Sequence, residues 1–592
     1  MADGAPTSLD EPLIRLGRRR LQPTETVART EATQQRDALL PFVVISSTYL
    51  LFTITDGALR MIVLLHAYRK SFTAMEVTLM FVLYELAGVG TNLAAGIAGA
   101  RWGIRATLVT GLLLQIVTFG LLFGWEDGWS KSQAILYVTG VQLFGGVAKD
   151  LTKLGGKTVT KLVTPEEKET QLFKLVSLLT GARGWKNSLK GVGYFLGSWL
   201  IGISYGLALG AMMALVLLAL PMAYFGLDPQ LGVSPSPGRL RLSDVFDRSN
   251  PNLNWLSLAR LFLFASRDFW FEVPLPFFLR SPPCAAIGRP CADDSDCGSG
   301  TACDAEAGAC ANLNPGGGCG GLGWSRTQVG ALLALYIIAY GQLQAYTPQL
   351  VTGPLRQTPP NKRTEVLWGL VNCLPTLVMA VVAAASADAG TYSQPSHAGL
   401  PPHTSLLGGS LVGTIACFAL VFAVNSSIHS YLVVLYAASD KANAPARRLV
   451  HGVSSVSPTR DAFQVAASVG FYYMANACGR LLGTLGSGVL YTYVGDDLGF
   501  LAGTNAVQGL AACFAAATAS SLLAALITLQ IDDGDAALLC GPCCVLYGGA
   551  EAPASDQCSR LHSRAEADEA AAGRLSEEEV VRLSRQVSDD LE

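Results

Sequence analysis

Twelve apolar runs, each holding the roughly 20 residues that a helix needs to cross a hydrocarbon core, confine this chain to a membrane. They cover residues 40–66, 74–99, 106–124, 134–154, 171–203, 206–226, 254–279, 327–350, 365–386, 405–438, 464–494 and 503–530, and the longer ones allow for tilt or extension into water. Of the 592 residues half are hydrophobic and 15% charged. That balance fits an all-α polytopic membrane protein and gives no basic surface for nucleic acid. Residues 1–38 are a polar amino-terminal tail without the apolar core of a signal peptide.

Lysine and arginine in the connections set the expected orientation, because cytoplasmic loops accumulate them. Arg15, Arg18, Arg19, Arg20, Arg101, Arg105, Lys157, Lys161, Arg239, Arg241, Lys362, Arg363, Arg447 and Arg448 fall on one side, which puts both termini in the cytoplasm, and the plasma membrane is the expected location. Cysteines give an independent reading. Cys284, Cys291, Cys297, Cys303, Cys310 and Cys319 crowd a loop at 281–325, on the opposite side, where an even number of thiols reads as a disulfide framework whose pairing the sequence leaves open. No metal-ligand spacing appears among them. Cys540, Cys543 and Cys544 follow the last span and are candidates for palmitoylation within the acidic tail 531–592.

The polar connection 227–253 divides the spans six and six, with halves at 39–226 and 254–530. That plan is the major facilitator fold, twelve transmembrane helices in two pseudosymmetric six-helix halves with the cargo site between them. Charges inside the spans respect it. The first span holds Asp56 and Arg60 and the seventh holds Arg267 and Asp268; the fifth holds Lys190 and the eleventh Arg480. Asn187 and Asn476 lie near these last two, and Gly193 and Gly483 follow each at the third position, which aligns Lys190 with Arg480. Arg60, Lys149, Lys190, Arg267 and Arg480, with the two asparagines, read as a cationic cage for a multiply charged anion, since guanidinium forks match phosphate and carboxylate oxygens. Lys149, Lys153, Lys157 and Lys161 recur every four residues on one helix face, a ladder of roughly 18 Å leading from the cytoplasmic mouth.

The acids need roles as well. Asp56, Asp150 and Asp268 neighbour basic residues and balance them, with Asp56 holding Arg60 while the site is empty. Glu85 and Glu272 have no neighbour of opposite sign in the sequence. They are either proton-coupling carboxylates or members of salt bridges between helices. No catalytic triad, nucleotide-binding loop or cofactor motif accompanies these residues, so an enzyme is not expected. His429 reads as a polar helix-packing contact.

Long charge-bearing blocks carry a resemblance: "FTITDGALRMIVLLH", "LMFVLYELAGVGTNLAAGIAGARWGIRATL", "GVAKDLTKLGGKTVTKLVTP", "NSLKGVGYFLG" and "ARLFLFASRDFWFEVPLP". They resemble the ArsJ-type organoarsenical efflux transporters of the major facilitator superfamily, densely over residues 40 to 280 and more loosely to 530. The superfamily signature between the second and third spans is partly kept, with Gly96, Arg101, Gly103 and Arg105 in place and Ala100 where an aspartate belongs. The cysteine-rich loop and the long tails depart from the shorter bacterial members. What the resemblance implies is export of 1-arseno-3-phosphoglycerate and hence arsenate resistance, with glyceraldehyde-3-phosphate dehydrogenase as the functional partner that makes the cargo, and with protons as a possible counter-ion. Two other readings stay open at the level of sequence: an organophosphate/phosphate exchanger of the same superfamily, and a non-transporting receptor that uses the cysteine-rich loop.

Overall fold

The computed structural model describes residues 23–162, 188–229, 251–298, 301–352, 361–388, 402–438, 458–494 and 505–532, with the short strands 538–539 and 545–547. For 23–42, 92–101, 154–162, 348–352, 387–388, 402–405, 458–470 and a few single positions only the backbone is described. Lys157 and Lys161 therefore lie on a described helix without described side chains, while Asn187, Cys540, Cys543 and Cys544 fall outside the described residues.

Thirteen helices carry the described chain. The first group comprises α1 (Pro23–Arg69), α2 (Ala74–Met80), α3 (Val82–Leu122), α4 (Lys131–Leu162), α5 (188–203) and α6 (Tyr205–Phe225). The second comprises α7 (Pro251–Phe271), α8 (Pro274–Arg280), α9 (Arg326–Thr352), α10 (Lys362–Asp388), α11 (Pro402–Ala438), α12 (Pro458–Val489) and α13 (Ala506–Thr528). Among the described residues eight helical segments are long and apolar enough to cross a membrane. The described parts of the expected spans 134–154, 254–279 and 464–494 are not among them, and they hold Lys149 and Asp150, Arg267 to Glu272, and Arg480; the expected span 171–203 is described only from residue 188. Charge lowers the hydropathy of the segments that line the middle of the bundle.

Local sequence explains the helix breaks. Gly103 has φ 81°, a conformation that costs glycine little, and it kinks α3 where two separate spans are expected. Pro274 has no N–H and restricts the residue before it, so α7 stops at Phe271 and α8 starts anew. Thr73 opens α2 with a capping box, its hydroxyl accepting from the Glu76 N–H while Glu76 accepts from the Thr73 N–H.

Glycines set how closely the helices approach. A Cβ on Gly193 of α5 would lie 2.1 Å from the Ile54 carbonyl oxygen of α1, and one on Gly197 would lie 2.8 Å from that of Ala58. In the second group, a Cβ on Gly479 of α12 would lie 2.0 Å from the Leu261 oxygen of α7, and one on Gly483 2.8 Å from that of Ala265. The α1/α5 and α7/α12 pairs are thus the same packing built twice. Between the groups, α12 packs on α2 and α3, and α5 meets α9, where Gln342 Nε2 donates to Ser188 Oγ at 2.8 Å.

The loop between α8 and α9 holds a hairpin, β1 (Thr301–Asp304) with β2 (Ala309–Asn312). Its disulfides join Cys284 to Cys319, Cys291 to Cys303 and Cys297 to Cys310. The loop is tied to α13, the Ala506 N–H donating to the Cys319 oxygen at 2.9 Å, and reaches the first group, where Asn314 Nδ2 donates to the Phe72 oxygen at 3.0 Å. The loop thus bridges the two helix groups at this end.

Gly193→Ala is expected to destabilise the purified protein by about 1–3 kcal/mol, because two backbones must separate. Gly210→Ala on α6, where a Cβ would meet nothing within 4 Å, is expected to be neutral or slightly stabilising. Thermal unfolding of both variants in detergent checks the contrast.

Candidate functional site

The charged side chains of the spans converge between the two helix groups. Arg60, 4% exposed, donates through Nη2 to Glu85 Oε1 and through Nη1 to Glu272 Oε2. Its guanidinium also lies 5.1 Å from the Phe81 ring centre and 5.0 Å from that of Tyr84. Arg480 donates through Nη2 to Glu85 Oε1 at 2.8 Å, stands 3.6 Å from Glu272 and places Nε 3.3 Å from Asp268 Oδ2. Arg267 donates through Nε to Asp268 Oδ1 at 2.6 Å and lies 3.9 Å from Glu272.

Helix breaks place the acids. Glu85 lies in the first turn of α3, just past the break at Phe81, and Glu272 lies between α7 and the start of α8 at Pro274. Each carboxylate therefore sits at an interruption in a span rather than along an unbroken face. Glu85 comes from the first group and Glu272 from the second, so the bonds are exchanged crosswise: Arg60 reaches Glu272, and Arg480 reaches Glu85.

The geometry meets some expectations from sequence and corrects others. Glu85 and Glu272, for which proton coupling and salt bridges between helices were both open, are each bonded to at least one buried arginine from a distant helix. Asp56 does not hold Arg60. It accepts a bond from the Tyr84 hydroxyl and lies 3.9 Å from Lys190 Nζ. Asp150 accepts from Thr91 Oγ1 at 2.8 Å and lies 3.8 Å from Lys153 rather than binding its neighbour Lys149. Lys149 turns instead to the face of Tyr84, 3.9 Å from the ring centre. The cage is also not bare. Arg60, Lys149, Lys153, Lys190, Arg267 and Arg480 face Asp56, Glu85, Asp150, Asp268 and Glu272, which leaves one surplus positive charge.

The duplicated glycine packing revises the alignment of the halves. The displacement that carries Ile54 onto Leu261 and Ala58 onto Ala265 carries Arg60 onto Arg267. The displacement that carries Gly193 onto Gly479 carries Lys190 onto Asn476 and Tyr194 onto Arg480. Arg60 and Arg267 are counterparts, whereas Lys190 and Arg480 stand one helical turn apart. Asn476, whose Oδ1 is buried and without a bond among the described residues, occupies the place that corresponds to Lys190.

Tyr84 is the residue that sequence reasoning passed over. It touches Asp56, Lys149 and Arg60, and its position beside Glu85 in "FVLYELAGVG" was the available signal.

Solved structures share this architecture. A bacterial homologue of the human drug peptide transporters PepT1 and PepT2 matches with a TM-score of 0.52 and 12% identity, over 83% of this chain and 97% of that one. The nucleoside transporter NupG matches with a TM-score of 0.52 and 12% identity, over 83% of this chain and 99% of that one. The chain shares its fold with these two transporters. At this identity the likeness extends to the fold and not to either cargo. No family model and no curated protein matches the sequence. The ArsJ-type resemblance rests on its sequence blocks alone.

Because truncating one member of a buried ion pair strands the other, Arg60→Gln and Glu272→Gln are each expected to destabilise the protein. The double variant is expected to recover part of the loss, with a coupling energy of about 2 kcal/mol or more. Thermal unfolding of the four proteins in a double-mutant cycle reads it, and additive losses would deny the pairing.

Proposed function

We propose that this chain is a secondary transporter that moves a small, multiply charged anion by alternating access, and that its cargo is the organoarsenical 1-arseno-3-phosphoglycerate. The observation that carries the reading is the crosswise exchange of arginines between the helix groups. A cargo bearing phosphate and arsenate oxygens offers Arg60, Arg267 and Arg480 the same acceptors that Glu85, Asp268 and Glu272 offer now. Cargo and carboxylates therefore compete for one set of guanidiniums. Lys149 and Lys153 lead towards this region along α4, with Lys157 and Lys161 further along the same helix. The arsenical identity draws on the sequence resemblance, and glyceraldehyde-3-phosphate dehydrogenase supplies the cargo in that scheme.

In this reading the disulfide loop faces an oxidising exterior and both termini lie in the cytoplasm, with the plasma membrane as the site of export. A second reading draws support from the correspondence of Arg60 with Arg267. Two arginines at equivalent places on α1 and α7 suit a single phosphate group, which fits exchange of an organophosphate for inorganic phosphate.

Everted vesicles supplied with glyceraldehyde 3-phosphate, NAD, arsenate and the dehydrogenase separate these readings. Arsenic accumulation that depends on the dehydrogenase is the expected result. Uptake of glyceraldehyde 3-phosphate accelerated by phosphate loaded inside, without arsenic accumulation, would favour the exchanger. Arg267→Lys and Arg480→Lys keep the charge but lose the fork, and each is expected to slow uptake about tenfold or more, equivalent to about 1.4 kcal/mol.

A further inference from the structure

A second buried ionisable cluster lies wholly within the second helix group, toward the end opposite the disulfide loop. Glu365, in the first turn of α10, and His429 on α11 are 2% and 0% exposed, and His429 Nε2 stands 2.9 Å from Glu365 Oε1. The Asn425 amide, one turn before His429, donates to the same oxygen in the orientation that satisfies both its atoms. Arg260 of α7 is 4% exposed and donates through Nη1 to the Ser426 carbonyl oxygen at 3.1 Å. Tyr340 and Gln344 of α9 reach Ser426 Oγ at 3.3 and 3.0 Å, and Tyr472 of α12 lies beneath the Arg260 guanidinium.

Tyr436 of α11 and Tyr473 of α12 belong to the same buried cluster as Tyr472, and α13 also packs on α10. Formal charge there is one Arg260 cation and one Glu365 carboxylate. His429 Nδ1 and Glu365 Oε2 are buried without a hydrogen bond among the described residues, and the 2.9 Å approach of His429 Nε2 to Glu365 Oε1 is a close contact without hydrogen-bond geometry. Apolar side chains of similar volume would fill the place at less desolvation cost, so packing alone does not account for an imidazole and a carboxylate in contact here.

We propose that Glu365 and His429 together form a proton-binding site, separate from the arginine network, through which transport is coupled to proton movement. The connection to the network runs through α7. The Phe264 ring lies 4.1 Å from the Arg260 guanidinium and 5.2 Å from that of Arg267, and it packs on Phe422 at 5.4 Å. Arg260, Arg267 and Asp268 share that one helix, with Glu272 directly after it. A proton taken up by the pair adds a positive charge beside Arg260, and the shift of that guanidinium is carried along α7 to the residues that hold the groups together.

The inference rests on the transport reading, and its test keeps the two apart. Everted vesicles generating the arsenical from glyceraldehyde 3-phosphate, NAD, arsenate and the dehydrogenase are given an acid interior, with and without a protonophore. Wild type is expected to accumulate about tenfold more arsenic with the gradient. Glu365→Gln and His429→Gln are expected to accumulate equally in both conditions, at the wild-type protonophore level. Variants that keep the gradient response overturn the proposal. So do variants that fall below the protonophore level, because the pair is then structural. If wild type accumulates no arsenic, the cargo reading fails, and the proton site is read without cargo from the ¹⁵N resonances of His429 in lipid nanodiscs. In a pH titration those resonances are expected to shift in wild type and to follow a different profile in Glu365→Gln. Resonances that do not move with pH, or that move identically in both proteins, overturn the site itself.

Discussion

Arg60 and Arg480 each cross the boundary between the helix groups to reach a carboxylate on the other side, and the bundle closes around that exchange. Desolvating ions is costly, and the cost is tolerable only while every member keeps its partners. An arrangement of this kind resists partial opening. Either the groups stay joined through Glu85 and Glu272, or something else occupies the guanidiniums. That all-or-none character is what a two-state transporter requires, and it follows from burial and charge without reference to any cargo.

Glycine contacts fix the charged helices within each group. Gly193 and Gly197 bring α5 against α1, and Gly479 and Gly483 bring α12 against α7, at close backbone distance. Two copies of one packing also explain why Arg60 and Arg267 face the centre from equivalent positions while their partners differ. Arg60 is bonded across the boundary, whereas Arg267 is bonded to Asp268 beside it. The two halves share a scaffold and diverge in how they are wired.

Much of the fold could be read from the chain itself. Apolar runs announced a membrane bundle, and the charges interrupting six of them marked the segments that meet at its centre. Pairing was harder. Asp56 and Arg60 are neighbours on one helix face, yet Arg60 binds Glu85 and Glu272, 25 and 212 residues away. Periodicity along a helix is visible in sequence, but which helix lies opposite is not. The alignment of Lys190 with Arg480 failed for a related reason. Glycines spaced by four on α5 and again on α12 admit two registers a turn apart, and only the backbone contacts choose between them. Glu365 and His429 were too far apart in the chain to be seen as a pair.

The claim on which the account turns is that the carboxylates of Glu85 and Glu272 hold the loop end closed. Spin labels carried by unnatural amino acids at Ser130 and Thr327, both exposed near that end on different helix groups, report its width by pulsed dipolar spectroscopy. Replacing Glu85 and Glu272 together by glutamine is expected to add a longer distance to the wild-type distribution. An unchanged distribution in a folded double variant would contradict the account.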